Sequence, residues 1–331
     1  MRPGKVTPAA LRQQIFPHLG HRDDVLVHAA VGQDCAVVDF GSSVCVVTID
    51  PITAAGAHVG RLAVHVACND LATTGAEPVG LLLTLLLAEA TAETDLERIM
   101  REAGDAARAL GVEIVGGHTE VTPGIERTLV VVAAVGRAPR DGYVSADGGR
   151  PGHALVLTKG AGIEGTAILA ADLADRLSAT IDGATLARAR AFIQRISVVP
   201  EGRIGARCGA AAMHDVTEGG VAAGVWELAE ASQCGVRLDA DLVPVQPETR
   251  AICAALSADP LALISSGAML IAISDPAPLQ SELAQAGIPS AVIGVLTNGE
   301  RTIVLGGRTG RLIPPERDEL WRLLEPGHEK D

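Results

Sequence analysis

Val66-Ala67-Cys68-Asn69-Asp70-Leu71-Ala72, followed by Gly75-Ala76-Glu77-Pro78, is the stretch on which the first half of the chain turns. Leu62, Val64, Val66, Ala67 and Cys68 give Val59–Thr74 a helical apolar pattern, and Gly75 supplies a stop. Asn69 and Asp70 fall in the last turns of this otherwise apolar helix. A carboxylate there faces the negative end of the helix dipole, which costs roughly 0.3–1 kcal/mol unless a cation offsets it. His65, one turn earlier, shares that face and reads as a structural hydrogen-bonder or as a ligand.

Outward from this helix, strands and helices alternate, which predicts an α/β or α+β class. Val44–Ile49 is β-branched and reads as a buried strand. Leu81–Leu87 is apolar on both faces and reads as a central strand. Thr94-Asp95-Leu96-Glu97 has the form of a capping box, with apolar residues at helical spacing up to Gly111. Val112–Val115 and Leu129–Val135 read as strands. The glycine-rich stretch Asp141–Gly152 is the expected hinge between an N-terminal domain, residues 1–148, and a C-terminal domain, 149–331. The second half opens with strand Ala154–Thr158. It continues with helices over Thr185–Ile196 and Gly220–Ser232, strands near Ala268–Ser274 and Ala291–Leu296, and an amphipathic tail from Pro314.

Composition narrows the function classes. The 331 residues are 48% hydrophobic and 20% charged, which suits two globular domains. Aromatics make up 2%, too few for a base-stacking platform, and the formal charge is −13 without a basic run. Nucleic acid is therefore not an expected partner. Val79–Ala88, the longest apolar run, is too short to span a bilayer, and Met1–Ala10 lacks the apolar stretch of a signal peptide. Cys35, Cys45, Cys68, Cys208, Cys234 and Cys253 form no CxxC pair and read as reduced core residues in a cytoplasm.

Five further places carry candidate chemistry. Gly32-Gln33-Asp34 puts a carboxylate on a glycine turn before a strand, and Asp50 ends the strand Val44–Ile49. With Asp70 these carboxylates could hold one or two divalent ions, since magnesium prefers oxygen. Taken singly, each also fits a plain turn. Gly116-Gly117-His118-Thr119 follows a strand and could aim backbone N–H groups at a phosphate, or could be a hairpin turn. Lys159-Gly160-Ala161-Gly162-Ile163-Glu164-Gly165 fits GxGxxG but lacks the second acid-terminated strand of a dinucleotide fold. His214-Asp215-Val216-Thr217-Glu218-Gly219-Gly220 opens a helix whose glycines would leave N–H groups for an anion, with His214, Asp215 and Glu218 beside it.

In this order the motifs resemble the superfamily of aminoimidazole ribonucleotide (AIR) synthetase, HypE, thiamine-monophosphate kinase and selenophosphate synthetase, and most of all its HypE-like, AIR synthetase-related branch. The resemblance implies a two-domain PurM-like fold whose N-terminal domain pairs in a homodimer. It implies ATP between the domains and Mg²⁺ on Asp34, Asp50 and Asp70. Asn69, Gly116, Gly117, His118 and Thr119 would approach the nucleotide, and Lys159 would neutralise its γ-phosphoryl group. His214, Asp215 and Glu218 would line the side of a small acceptor, whose amide, carbonyl or phosphate oxygen would be phosphorylated. The alternative is a nucleotide-binding maturation factor that acts on a partner protein. Two features depart from the pattern. His118 stands where relatives carry a carboxylate, and the given sequence ends Gly327-His328-Glu329-Lys330-Asp331 where HypE has a terminal cysteine. His118 is expected to bond a phosphate or the acceptor and not to ligate magnesium.

Overall fold

A computed structural model describes residues 5–52 and 58–325. Two mixed sheets organise them. The first has the order β1-β2-β3-β6-β4-β5, built from Val25–Val27 (β1), Ala36–Asp39 (β2), Ser43–Ile52 (β3), Glu77–Leu87 (β4), Glu113–Val121 (β5) and Leu129–Pro139 (β6). All its pairings are antiparallel except β4 with β5. The second has the order β13-β12-β9-β11-β7-β10-β8. Its strands are Ala154–Thr158 (β7), Ala212–Val216 (β8), Gly235–Asp239 (β9), Ala268–Ile273 (β10), Ser290–Thr297 (β11), Arg301–Leu305 (β12) and Arg308–Arg311 (β13). Among the described residues no helix is long and apolar enough to cross a membrane.

One face of the first sheet buries Val44, Val46, Leu83, Leu85, Val130 and Val132 against the helices Val59–Thr73 and Glu93–Leu110. The other face is open in the single chain. Ile49 of β3 and Leu82 of β4 both pair with Ala133 of β6, so they stand in one cross-strand row, and both are exposed. The expectation that Val44–Ile49 is a buried strand therefore holds for one face, and Leu81–Leu87, expected to be a central strand apolar on both faces, lies between β6 and β5 with one apolar face exposed. The helix expected to start from the Thr94 capping box begins at Glu93. The N–H groups of Asp95 and Leu96 close on the Ala92 carbonyl, and no side chain caps them. Gly111 ends that helix in the left-handed conformation, as its position predicts.

The two halves share one apolar cluster, from Leu71 and Ala72 to Val199, Ile204 and Met213. Asp141–Gly152 is not a loose hinge. Val144 and Ala146 are buried, the Val144 N–H donates to the Thr74 carbonyl, and Ser232 Oγ donates to the Ala146 carbonyl. The helix Val199–Arg207 meets Val59–Thr73 at Gly202, where a Cβ would lie 2.1 Å from the Ala72 carbonyl oxygen. Since that obstacle is backbone, Gly202→Ala should push the two helices apart and destabilise the protein by roughly 1–3 kcal/mol. A fall in the urea midpoint at unchanged slope is the expected sign. An unchanged midpoint would show that the close approach does not matter.

Candidate functional site

The junction of the halves gathers carboxylates. The turn before β2 carries Asp34 and rests on the helix Gly220–Ala231. Gly32 makes this possible, with φ 81° and a Cβ position 2.4 Å from the Glu227 carbonyl oxygen. Asp50 comes from β3, and Asp70 from the last turns of the helix Val59–Thr73. Asp215 comes from β8 in the second half and is buried. Thr48, two residues before Asp50, places Oγ1 at 2.5 Å from Asp70 Oδ2 and 3.0 Å from the Asp34 carbonyl. Ligand atoms of Asp34, His214 and Asp215 lie within 4.8 Å of one another. Asp215 Oδ2 is buried with no hydrogen-bond partner.

Such crowding shifts the proton affinities of the groups involved. Burial, together with Asp50 and Asp215, drives the Asp70 carboxyl well above the usual carboxylate range. Burial and the charge of Asp34 push Asp215 up to about 8, against the opposing pull of His214. His214 Nδ1 is 2.9 Å from Asp34 Oδ2, and its Nε2 is 3.0 Å from Glu227 Oε2. Burial opposes its charge, but Asp34 and Glu227 outweigh burial and hold the imidazole well above its ordinary value. His214 is thus an imidazolium donating from both nitrogens. It fixes Asp34 and has no lone pair for a metal.

Lys5 completes the group. Its backbone N–H donates to Glu218 Oε1 at 3.0 Å and its Nζ to Thr217 Oγ1 at 3.2 Å. The surrounding protein works against its charge, but Glu227, Asp34, Asp215 and Glu218 outweigh that and raise its pKa. A cavity of about 620 Å³ opens here, lined among others by Lys5, Asp34, His214, Glu218, Trp226 and Glu227.

Other expected site residues are placed elsewhere. Asn69 is wholly buried and both ends of its amide are engaged. Nδ2 donates to the Ile196 carbonyl at 2.9 Å, and Oδ1 accepts from the Val198 N–H at 2.8 Å. It clamps the second half to the first and has nothing left for a nucleotide. Lys159 is likewise buried, with Nζ 2.6 Å from Glu201 Oε1, 2.6 Å from the Ser197 carbonyl and 3.1 Å from the Arg195 carbonyl. Two carbonyls and a carboxylate surround its ammonium, which holds it in a structural position. Gly116, Gly117, His118 and Thr119 form no turn. They continue β5, exposed at the edge of the first sheet, with His118 Nε2 3.1 Å from Glu120 Oε2. Two strands, β4 and β6, separate them from β3, a span of about 14 Å at the usual strand spacing.

The two glycine-rich expectations also change. Gly219 N–H donates to Asp318 Oδ2 at 2.6 Å and Gly220 N–H to the Thr217 carbonyl, so the protein's own carboxylate takes the anion's place. Gly160–Gly165 packs beneath Pro244 and Leu263, and its Gly162 N–H donates to Ser265 Oγ at 2.6 Å. His65 is buried and neutral; burial, with Arg61 and Lys159 nearby, lowers it to about 4. Thr48, Glu227 and Lys5 are the site residues that sequence reasoning missed. Glu227 had a signal, as an acid inside the otherwise apolar run Val221–Ala229. A single lysine near the chain start had none.

Comparison with known proteins agrees with this architecture. Residues 32–138 match the model of the AIR synthase related protein N-terminal domain, and residues 150–306 that of its C-terminal domain. The carbamoyl dehydratase HypE of Rhizobium leguminosarum bv. viciae is 32% identical over 257 residues, covering 74% of this chain and 70% of that one. The crystal structure of a hydrogenase maturation protein HypE in complex with ATP superposes with a TM-score of 0.71 at 24% identity, covering 96% of this chain and 97% of that one. A HypE–HypF complex gives a TM-score of 0.69 at 21% identity, with 84% and 93% covered.

The raised carboxyls fix how the metal-free protein responds to pH. A carboxyl ionises near 3.9 when unfolded, whereas folded Asp215 ionises at about 8. The folded state binds the extra proton between those values, so stability falls as pH rises through that window. His214, raised on folding, adds a loss of the same sign above its unfolded pKa. In chelator, the melting temperature should climb by several degrees as pH is lowered from about 8.5 to 6, and Asp215→Asn should make that slope shallower. A melting temperature that rises with pH in chelator would contradict the crowding.

Proposed function

The chain belongs to the AIR synthase related family, in its HypE-like branch with the two-domain PurM-like fold, and we propose that it is an ATP- and Mg²⁺-dependent enzyme that phosphorylates an oxygen of a small acceptor. The observation that carries this is the four-carboxylate centre, with Asp215 Oδ2 buried and unpartnered inside it. Its donors are all oxygens, which fits magnesium. Asp34, Asp50, Asp70 and Asp215 would hold the ion, which when bound neutralises charge on the phosphates. Asp215, first read as an acceptor-side residue, joins the metal set in this proposal. The known ATP complex belongs to HypE, and the four-carboxylate centre supports carrying it over.

Other side chains have distinct work. His214 keeps Asp34 turned toward the centre, and Lys5 together with His214 keeps Glu227 ionised against its burial. Thr48 ties Asp70 to the Asp34 turn. Glu218 lines the cavity and is the residue to orient an acceptor. Phosphoryl transfer requires little covalent chemistry of the protein, so positioning and charge neutralisation suffice. We take residues 1–148 and 149–331 as the two domains. The open row of Ile49 and Leu82 supports a homodimer through the first sheet. Gly116, Gly117, His118 and Thr119 would serve the nucleotide only if a second copy brings them alongside. The six cysteines, all unpaired, support a reducing, cytoplasmic setting. A second reading, a maturation factor acting on a partner protein, is favoured by the HypE–HypF complex among the similar structures.

Calorimetric titration tests the main proposal. ATP should bind with Mg²⁺ present and lose at least tenfold in affinity in EDTA, and Asp70→Asn should weaken binding in Mg²⁺ while the metal-free protein stays folded. Equal affinity in EDTA would remove the metal from the account. Light scattering on the same sample should give twice the chain mass; a strict monomer would leave the β5 residues without a nucleotide role. ATP turnover across candidate acceptors, with none found except on a partner protein, would favour the second reading.

A further inference from the structure

Among the described residues, three cationic side chains line the cavity beside the carboxylate centre: Lys5, His214 and Arg317. His214 spends both ring nitrogens on Asp34 and Glu227. Arg317 directs Nη2 to Glu325, at 2.5 Å, and to the Trp321 carbonyl, at 2.8 Å, and its Nε is buried away from the cavity surface. Lys5 differs. Its ammonium has three donors, and one hydrogen bond accounts for one of them, to Thr217 Oγ1.

Its mounting is also distinctive. The main chain is pinned by the bond from the Lys5 N–H to Glu218 Oε1, and the same segment is pinned further along by the Arg12–Glu230 ion pair. A flexible four-carbon stem then carries the charge into the cavity from a fixed point. Asp34, Asp215, Glu218 and Glu227 all act on that charge. These same acids would repel a polyphosphate. Ions held on the aspartates would offset the repulsion on one side, and at Thr217 and Glu218 the positive charge among the described residues is Lys5.

We propose that Lys5 meets the terminal phosphoryl oxygens of the nucleotide, the part first assigned to Lys159. This rests on the Mg²⁺- and ATP-dependent function proposed above. Lys5 thereby discriminates nucleoside triphosphate from diphosphate: the triphosphate places a further charged group within the ammonium's reach.

Calorimetry in Mg²⁺ separates the possibilities. Lys5→Met keeps the apolar stem and removes the charge. It should weaken Mg·ATP binding roughly 10- to 100-fold, the range of a lost charge-assisted hydrogen bond, and leave Mg·ADP within about twofold. Lys5→Arg should restore most of the preference for ATP. Equal weakening toward ATP and ADP would mean that Lys5 only holds the N-terminal segment in place, and unchanged binding of both would mean that it faces no phosphate; either overturns the proposal. Failure of the wild type itself to bind Mg·ATP would overturn the functional proposal, and this one with it.

Discussion

Four aspartates pressed together at a buried junction repel one another, and much of the surrounding structure is an answer to that repulsion. At an effective dielectric near 20, two like charges about 4 Å apart repel by about 4 kcal/mol. Asp34, Asp50, Asp70 and Asp215 come from a turn, a strand end, a helix end and a strand of the other sheet, so no local preference brings them together. The chain answers in part with protons, held on Asp70 and Asp215 well above the ordinary range, and in part with the cations His214 and Lys5. A divalent ion would take over from the protons, with His214 still holding Asp34.

Holding the repelling groups in place requires a stiff junction. Asn69, adjacent to Asp70, uses both ends of its amide to tie down Ile196 and Val198. Lys159 grips the same segment through the Arg195 and Ser197 carbonyls while paired with Glu201. Gly202 and Gly32 let backbone approach backbone where any side chain would intrude. These residues lie next to the chemistry in sequence or in space, yet their work is to fix the separation between the carboxylates.

This division explains what the sequence made legible. The α/β alternation and the helix Val59–Thr73 were readable, because local pattern carries them, and the same pattern singled out Asp34, Asp50 and Asp70 as candidates. Asn69 and Lys159 were misread as ligand-binding because a polar residue in a motif looks the same whether it meets a nucleotide or a buried carbonyl. Gly116–Thr119 was read as a turn because glycine pairs favour turns, but pairing with Leu82–Leu85 keeps it extended. Lys5 was invisible as a site residue because only tertiary folding carries it to the cavity, and Glu227 showed only as an acid in an apolar run, with nothing local to tie it to Asp34 or His214.

Crystals soaked in Mn²⁺, a heavier stand-in for magnesium with a strong anomalous signal, test most directly whether the junction is a metal centre. The account predicts anomalous density bounded by carboxylate oxygens of Asp34, Asp50, Asp70 and Asp215, with His214 still bonded to Asp34 and Glu227. Density absent from the junction, in protein shown to bind ATP equally well in EDTA, would contradict it and leave the carboxylates as a purely proton-balanced cluster.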